Sequence, residues 1–449
     1  MTTVYYLLGI LVVVVGIGVS IALHELGHLV PAKRFGVKCT QFMIGFGPTI
    51  WARTKGETEV GIKAIPLGGY VRMIGMIAPR AGEDPTSLRT MSTSRMGTLV
   101  DQARKDSMDE IAPGDENRVF YKLSVPKKVV VMLGGPLMNL VLAFVVLTVL
   151  MTGIGVQQPV PTLSTVAECV PTSAPTAAKP FPDCVVGDPK APAAMAGLQA
   201  GDTVVEVSGQ PVQRWAEVTE RIRAARGGTL DFVVERSGTL IPVTAQIAAV
   251  TRAAYTEQGL VQVTADGAVV TETVGYLGAS ASIGFIREPI TEVPAAMGRM
   301  LSQTATVLLT VPEKMVGVYQ AVTGQAERDP EGPISVVGVA RVGGEIASGQ
   351  LGPESPQSIA FKMLWLLFGL NIALFMFNLL PLLPLDGGQV VGALWEGLKR
   401  TGARLLGRPD PGYVDVAKGL PIAYAVSTLL IAMTILLVYA DLVTPVKLS

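Results

Sequence analysis

His24-Glu25-Leu26-Gly27-His28 closes an uncharged, apolar run from Val4 to Leu23. If the run is helical and continues through His28, two imidazoles sit four residues apart on one face. That spacing suits a divalent zinc ion. Glu25 stands beside them, placed to take a proton from a zinc-activated water. His24 and His28 are the only histidines in 449 residues, so every imidazole the chain owns is at ligand spacing. The plainer reading is a helix end where two polar side chains meet an interface.

Three further runs are uncharged: Val129–Thr152, Met363–Leu385 and Pro421–Ala440. Each of the four is long enough to cross a hydrocarbon core, which takes roughly 20 residues. A mean hydropathy of +0.46 fits spans mixed with polar modules. Lys plus Arg equals Asp plus Glu at 36 each, so no overall basic charge argues for nucleic acid. The first run lacks a basic leader and a small-residue cleavage site, and reads as a retained span. Lys33, Arg34 and Lys38 follow it; Lys122, Lys127 and Lys128 precede the second; Lys399, Arg400, Arg404 and Arg408 lie between the third and fourth. These charges predict cytoplasmic loops 29–128 and 386–420, with both termini and 153–362 outside. Three cysteines are too few for a disulfide scaffold or a cysteine-built metal site. Cys169 and Cys184 fall on the outer side, where they either pair to close an insertion at about 170–185 or stay as two thiols.

Between the first two spans, Val60–Ile65 and Tyr70–Ile74 read as strands joined by a Pro66-Leu67-Gly68-Gly69 turn. The hairpin at about 58–76 is either an ordinary cytoplasmic one or one that dips into the membrane. Non-helical backbone is tolerated at that depth only against protein or a wet cavity. Residues 78–117 read as a polar loop without a motif. Asn139 in span two, after Gly134-Gly135-Pro136, is a polar group that should face the bundle interior.

Outside, Pro192–Asp202 forms a small-residue loop. It is followed by strand Thr203–Val207, a turn at Gly209-Gln210-Pro211, helix Trp215–Ala225, strands Leu230–Glu235 and Ile241–Gln246, and a further strand Val274–Ser280. This order resembles a PDZ domain, which implies a groove for a peptide tail; a ligand-free spacer is the alternative. Glu292–Val322 has helical periodicity and suits the outer membrane surface.

Span three ends Asn378-Leu379-Leu380-Pro381-Leu382-Leu383-Pro384-Leu385-Asp386-Gly387-Gly388. Its prolines should stop the helix, and the predicted orientation brings Asp386 to the depth of His24 and His28. Two histidines and one carboxylate leave a fourth position open, as in catalytic zinc sites. With Gly45-Phe46-Gly47-Pro48, Ile65-Pro66-Leu67-Gly68-Gly69-Tyr70 and the Gly-Pro…Asn pattern of span two, these residues resemble the site-2 proteases, which are intramembrane zinc metalloproteases. The likeness is to bacterial, especially actinobacterial, members with one PDZ unit.

The resemblance implies one zinc ion per chain on His24, His28 and Asp386, with Glu25 as general base. It also implies substrate contacts at Asn378, Gly68 and Gly69. Substrates would be pre-trimmed single-span proteins, such as anti-sigma factors or signal-peptide remnants, in a bacterial plasma membrane. Gln389 departs from the pattern, since many relatives carry His there, and Pro384 is shifted from its position in some.

The expected fold is a multi-pass α-helical membrane protein with four transmembrane helices, a re-entrant β-hairpin and an inserted extracytoplasmic PDZ-like α+β domain. Its parts are 1–30, the first span; 31–127, a cytoplasmic loop; 128–153, the second span; and 158–282, the PDZ-like domain. After these come 283–361, a juxtamembrane helical region; 362–388, the third span; 389–420, a loop; and 421–441, the fourth span. A metal-ion transporter, or an inactive scaffold binding peptides through the PDZ-like part, are the rival readings. Neither repeated spans nor further intramembrane charges support the first, and an intact Glu25 argues against the second.

Overall fold

A computed structural model describes residues 2–79, 95–173, 183–255, 261–264, 268–350 and 355–446. The chain divides into two compact units, Met1–Leu150 with Pro289–Ser449, and Met151–Glu288.

Among the described residues, four helices of the first unit are long and apolar enough to cross a membrane: α1 (Thr2–Arg34), α3 (Val125–Thr148, extended by a π-helical turn Val149–Ile154), α8 (Pro356–Asn378) and α10 (Leu420–Val443). Their outward faces carry bare Val, Leu and Ile, as a lipid solvent permits. What joins them is small and polar. Gly9 of α1 lies against Gly343 of α7 (Val336–Ser348), where an added Cβ would stand 2.3 Å from the Gly343 carbonyl oxygen. Asn371 of α8 donates to Ser20 Oγ of α1 at 3.0 Å, and both are buried. Glycine contacts and interhelical hydrogen bonds hold helices together where apolar burial distinguishes nothing from lipid.

At the far end of α1 the approach is closer still. A Cβ on Gly27 would be 2.2 Å from the Gly134 oxygen, and one on Gly134 would be 2.0 Å from the Gly27 oxygen. Four residues beyond Gly27, Pro31 sits inside the helix. It has no N–H to give back to the Gly27 carbonyl.

The expected hairpin is not formed by its own two runs. β1 (Cys39–Lys55) and β2 (Thr58–Met73) are long antiparallel partners with a register broken by irregularities. Phe42 pairs with both Val60 and Val71, and Met43 with both Gly61 and Tyr70. The stretch 41–44 therefore lies between the runs that the sequence pairs directly. A strand from before the turn, invisible to a local alternation pattern, takes the central place.

Within 78–117, residues 80–94 lie outside the described set, but Arg95–Asp109 is a helix, α2, where a loop was expected. Arg104 anchors it through Asp415 at 2.7 Å. The expected loop 389–420 is likewise largely helical: α9 (Asp386–Leu405) begins at the aspartate itself. Pro381 and Pro384 do interrupt the chain, since α8 ends at Asn378. Within the expected juxtamembrane region, α6 (Val293–Val322) is followed by a separate helix, α7, which the sequence reading did not separate out.

The second unit has a sheet in the order β10-β3-β4-β6-β7, with β5 (Gln210–Pro211) beside β4. These strands are β3 (Val156–Val166), β4 (Thr203–Val207), β6 (Thr229–Arg236), β7 (Thr239–Gln246) and β10 (Ala279–Ile286). α4 (Pro192–Met195) and α5 (Trp215–Ala225) complete it, and Leu163, Val218, Ile222, Phe232 and Leu277 fill its core. A separate ribbon pairs β8 (Ala248–Ala253) with β9 (Thr271–Tyr276). The single strand expected over Val274–Ser280 is thus split at Gly278, whose φ of +81° turns the chain from one sheet into the other. Cys169 and Cys184 are joined in a disulfide.

The turn at Asp202 is fixed by charge. Arg236 donates to both Asp202 carboxylate oxygens, at 2.7 and 2.8 Å, and to the Gly197 carbonyl. This guanidinium holds the Asp202 carboxyl below the usual range. Its stabilisation is complete above the pKa of an exposed aspartate and is lost as pH falls through the lower folded value. Arg236→Gln should therefore move acid unfolding of this unit to higher pH, read by hydrogen exchange of the 197–236 segment in the full chain. An unmoved transition would exclude the pair as its determinant.

Candidate metal centre

The residues that the sequence placed at two distant positions meet. His24 Nε2 is 3.2 Å and His28 Nε2 3.3 Å from Asp386 Oδ2, and the two Nε2 atoms are 3.3 Å apart. Donors held about 2.0–2.2 Å from a tetrahedral zinc lie about 3.3–3.6 Å from one another. The triangle therefore already has the edge length of a zinc site. Its chemistry agrees, since Asp386 Oδ2 is buried with no hydrogen bond to satisfy it. A cation is what three converging lone pairs need.

Each donor is aimed by its surroundings. On α1, His28 Nδ1 lies 2.8 Å from the Val131 carbonyl oxygen of α3. That bond puts the proton on Nδ1 and leaves Nε2 bare. The other imidazole is held by the same helix: His24 Nδ1 is 3.1 Å from the Asn139 amide, which is fully buried. Asn139 Oδ1 has no partner where it stands. Turning the amide over brings that oxygen to His24 Nδ1–H, satisfies it and frees Nε2 for metal. Asn139 is thus a member of the centre that sequence reading placed in the bundle interior without a partner. The signal available was a lone amide in an apolar helix.

Gly135 makes room for the arrangement, since a Cβ there would stand 2.2 Å from His28 Nε2. Asp386 arrives by a tight reversal after α8. A Cβ on Gly387 would meet the Leu380 and Leu379 carbonyl oxygens at 2.3 and 2.5 Å, so only glycine lets α9 start there.

These groups open on a cavity of about 300 Å³. Buried Glu25 lines it, with Asn378 and Gln389. Asn378 is partly occupied, donating to the Leu374 carbonyl of its own helix at 3.0 Å. The Gly69–Met73 end of β2 forms one wall. Gly69 lies flush on the site, where a Cβ would be 2.9 Å from Glu25 Cγ. Val71 lines the same cavity as Glu25. Gly68 is not in the cavity; it turns the chain at a φ of +110° beside the Phe46 ring.

Removing the Asn139 amide tests the arrangement. Asn139→Leu keeps the volume and loses the bond that orients His24, and zinc affinity should fall about 10–100-fold. Competition with a chromogenic chelator measures it; unchanged affinity would mean that packing alone orients the ring.

Comparisons with known proteins agree with this geometry. The profile of peptidase family M50 matches residues 12–405. The zinc metalloprotease Rip1 of Mycobacterium tuberculosis is 32% identical over 450 residues, covering 99% of each chain. The zinc metalloprotease RasP of Geobacillus kaustophilus is 28% identical, over 84% of this chain and 87% of its own. Metalloprotease MmpA of Caulobacter vibrioides is 25% identical, over 88% of this chain and 89% of its own.

Proposed function

The chain belongs to peptidase family M50 and is a membrane zinc metalloprotease, and from that premise we propose that it cuts single-span membrane proteins within or near their transmembrane segments. The observation that carries this reading is the His24–His28–Asp386 triangle between the ends of two membrane-length helices. With a rise of 1.5 Å per residue, His24 lies about 33 Å along α1 from its start, close to the roughly 30 Å thickness of a hydrocarbon core. The site then sits near one membrane face, and the distribution of Lys and Arg supports reading that face as the cytoplasmic one.

In the proposed reaction His24, His28 and Asp386 hold the metal. Bound zinc supplies Lewis acidity toward the scissile carbonyl and toward a water. Glu25 takes the proton of the attacking water and delivers it to the leaving amide nitrogen.

A helical substrate hides its carbonyls in internal hydrogen bonds and has to be drawn out. The Gly69–Met73 stretch, on the cavity wall, suits an extended chain added alongside it. This supports β2 as the membrane-dipping element and Gly69 as a substrate contact. Gly68 acts in it as the turn that aims the strand, and Asn378 as a polar contact lining the same cavity.

The strand and helix order of Met151–Glu288 supports a PDZ-like module that screens or reads trimmed tails outside. Trimmed anti-sigma factors and signal-peptide remnants have the single short span such a screen admits.

The test is the purified chain in vesicles with a tagged single-span protein. Cleavage within the span, mapped by mass spectrometry, should stop with 1,10-phenanthroline and return with added zinc. Cleavage confined to soluble segments would overturn the intramembrane reading. Comparative membrane proteomics of cells carrying the intact chain and Glu25→Gln would then name the substrates.

A further inference from the structure

The helix that begins at Asp386 is amphipathic in the wrong sense for a soluble protein. In α9 the side turned to α3 is the charged one. Glu396 is buried, 2.8 Å from the buried ammonium of Lys128, and is also approached by Arg400 at 3.2 Å. The Tyr413 ring covers both cations, with Lys128 Nζ 5.2 Å and Arg400 Cζ 4.9 Å from its centroid. Ala393 and Gly397 lie on this same side, Gly397 against Val125.

The opposite side is apolar and bare. Val391, Leu394, Trp395, Leu398 and Leu405 recur at spacings of three, four and seven residues, and each is about half exposed or more. A helix gains nothing in water by burying its carboxylate and displaying its leucines. The stripe is at the α8 end of the bundle, whose membrane-length helices also carry bare apolar side chains on their outward faces.

Lys399, Arg404 and Arg408 are exposed at its margins. None of the three has a carboxylate partner among the described residues, and Lys399 lies 5.5 Å from the Trp395 ring. Cations at the edge of an apolar helix face, with a tryptophan among them, match an anionic bilayer interface.

We infer that α9 lies in the headgroup region of the membrane leaflet at which α8 ends, its apolar stripe in the acyl boundary and Lys399, Arg404 and Arg408 on anionic lipid headgroups, so that the bilayer sets the position of Asp386. The Lys128–Glu396 pair ties the inner side of α9 to α3, and the lipid holds its outer side. The carboxylate at its first residue then rests on both.

Placement in the bilayer is tested without reference to proteolysis; only the activity arm rests on the protease reading. Cys39 is buried and the other two cysteines are paired, so Leu398→Cys introduces the one accessible thiol among the described residues. With an environment-sensitive dye there, the full chain is placed in phosphatidylcholine–phosphatidylglycerol vesicles. Nitroxide carried near the lipid headgroup should quench this label strongly and a label at Pro411→Cys weakly.

Equal quenching at both positions overturns the proposal. So does shielding of the 398 label from aqueous iodide without quenching by lipid, which would mean that a second copy or another protein covers the stripe. In the activity arm, cleavage of a model span should rise severalfold on going from pure phosphatidylcholine to the mixed vesicles. Lys399→Glu/Arg404→Glu/Arg408→Glu should abolish that rise, and a rise that persists in this variant removes the anionic-lipid part. A wild type inactive in both vesicles would speak against the protease reading and leave the depth result standing.

Discussion

Glu25→Gln should lower peptide cleavage about a thousandfold, the scale of a lost general base, while one zinc per chain remains. The substitution changes one oxygen to an amide and leaves size and backbone alone. The three metal donors belong to other residues, so the metal should stay. What disappears is the ability to accept a proton. Zinc is measured by elemental analysis of the purified chain, and cleavage by release of a tagged fragment. Full activity with full zinc would end the assignment of Glu25. Loss of both would show that Glu25 acts through metal retention instead.

A single methyl group at Gly135 should be nearly as damaging by another route. The Cβ of Gly135→Ala would be 2.2 Å from His28 Nε2 and 2.7 Å from its Cδ2 and Cε1. Non-bonded carbons do not approach so closely, and the ring cannot retreat while Nδ1 stays on the Val131 carbonyl. It must leave the metal position. Zinc affinity should fall by about a hundredfold or more, beyond the loss of an outer hydrogen bond, and activity should fall with it. Gly18→Ala is the matched control, since a Cβ there meets nothing within 4 Å. An alanine at 135 that keeps zinc and activity would show that α1 and α3 separate easily, against a crossing built on opposed glycines.

That His24, His28 and Asp386 come together as a cluster able to hold a metal was legible because histidine is so scarce and because a charge breaks the apolar pattern at Asp386. The four membrane-length helices were legible for a similar reason, long uncharged runs having few other uses. Local order in the second unit could also be read: Thr203–Val207 and Trp215–Ala225 coincide with β4 and α5. What escaped was pairing at a distance. Nothing in the alternation of 60–74 says that residues 41–44 will lie between its two runs. Nor does an isolated asparagine in span two announce an imidazole 115 residues away. Helix α9 was hidden for a different reason. Its leucines and charges look like loop composition until their three-and-four spacing is set against a partner that buries the polar side.

Pro31 and Gly134 acquire a shared meaning from the crossing of α1 and α3. The proline strips one carbonyl, that of Gly27, of its usual donor four residues on, and that oxygen is the one pressed against the opposing glycine. The Cα hydrogens of Gly134 are the substitute, a weak but recurring type of contact between close helices. The two helices are thereby indexed to each other like teeth of a gear. Sliding one past the other by a single residue would strand the oxygen against a side chain and carry both imidazoles out of alignment with the groups that aim them.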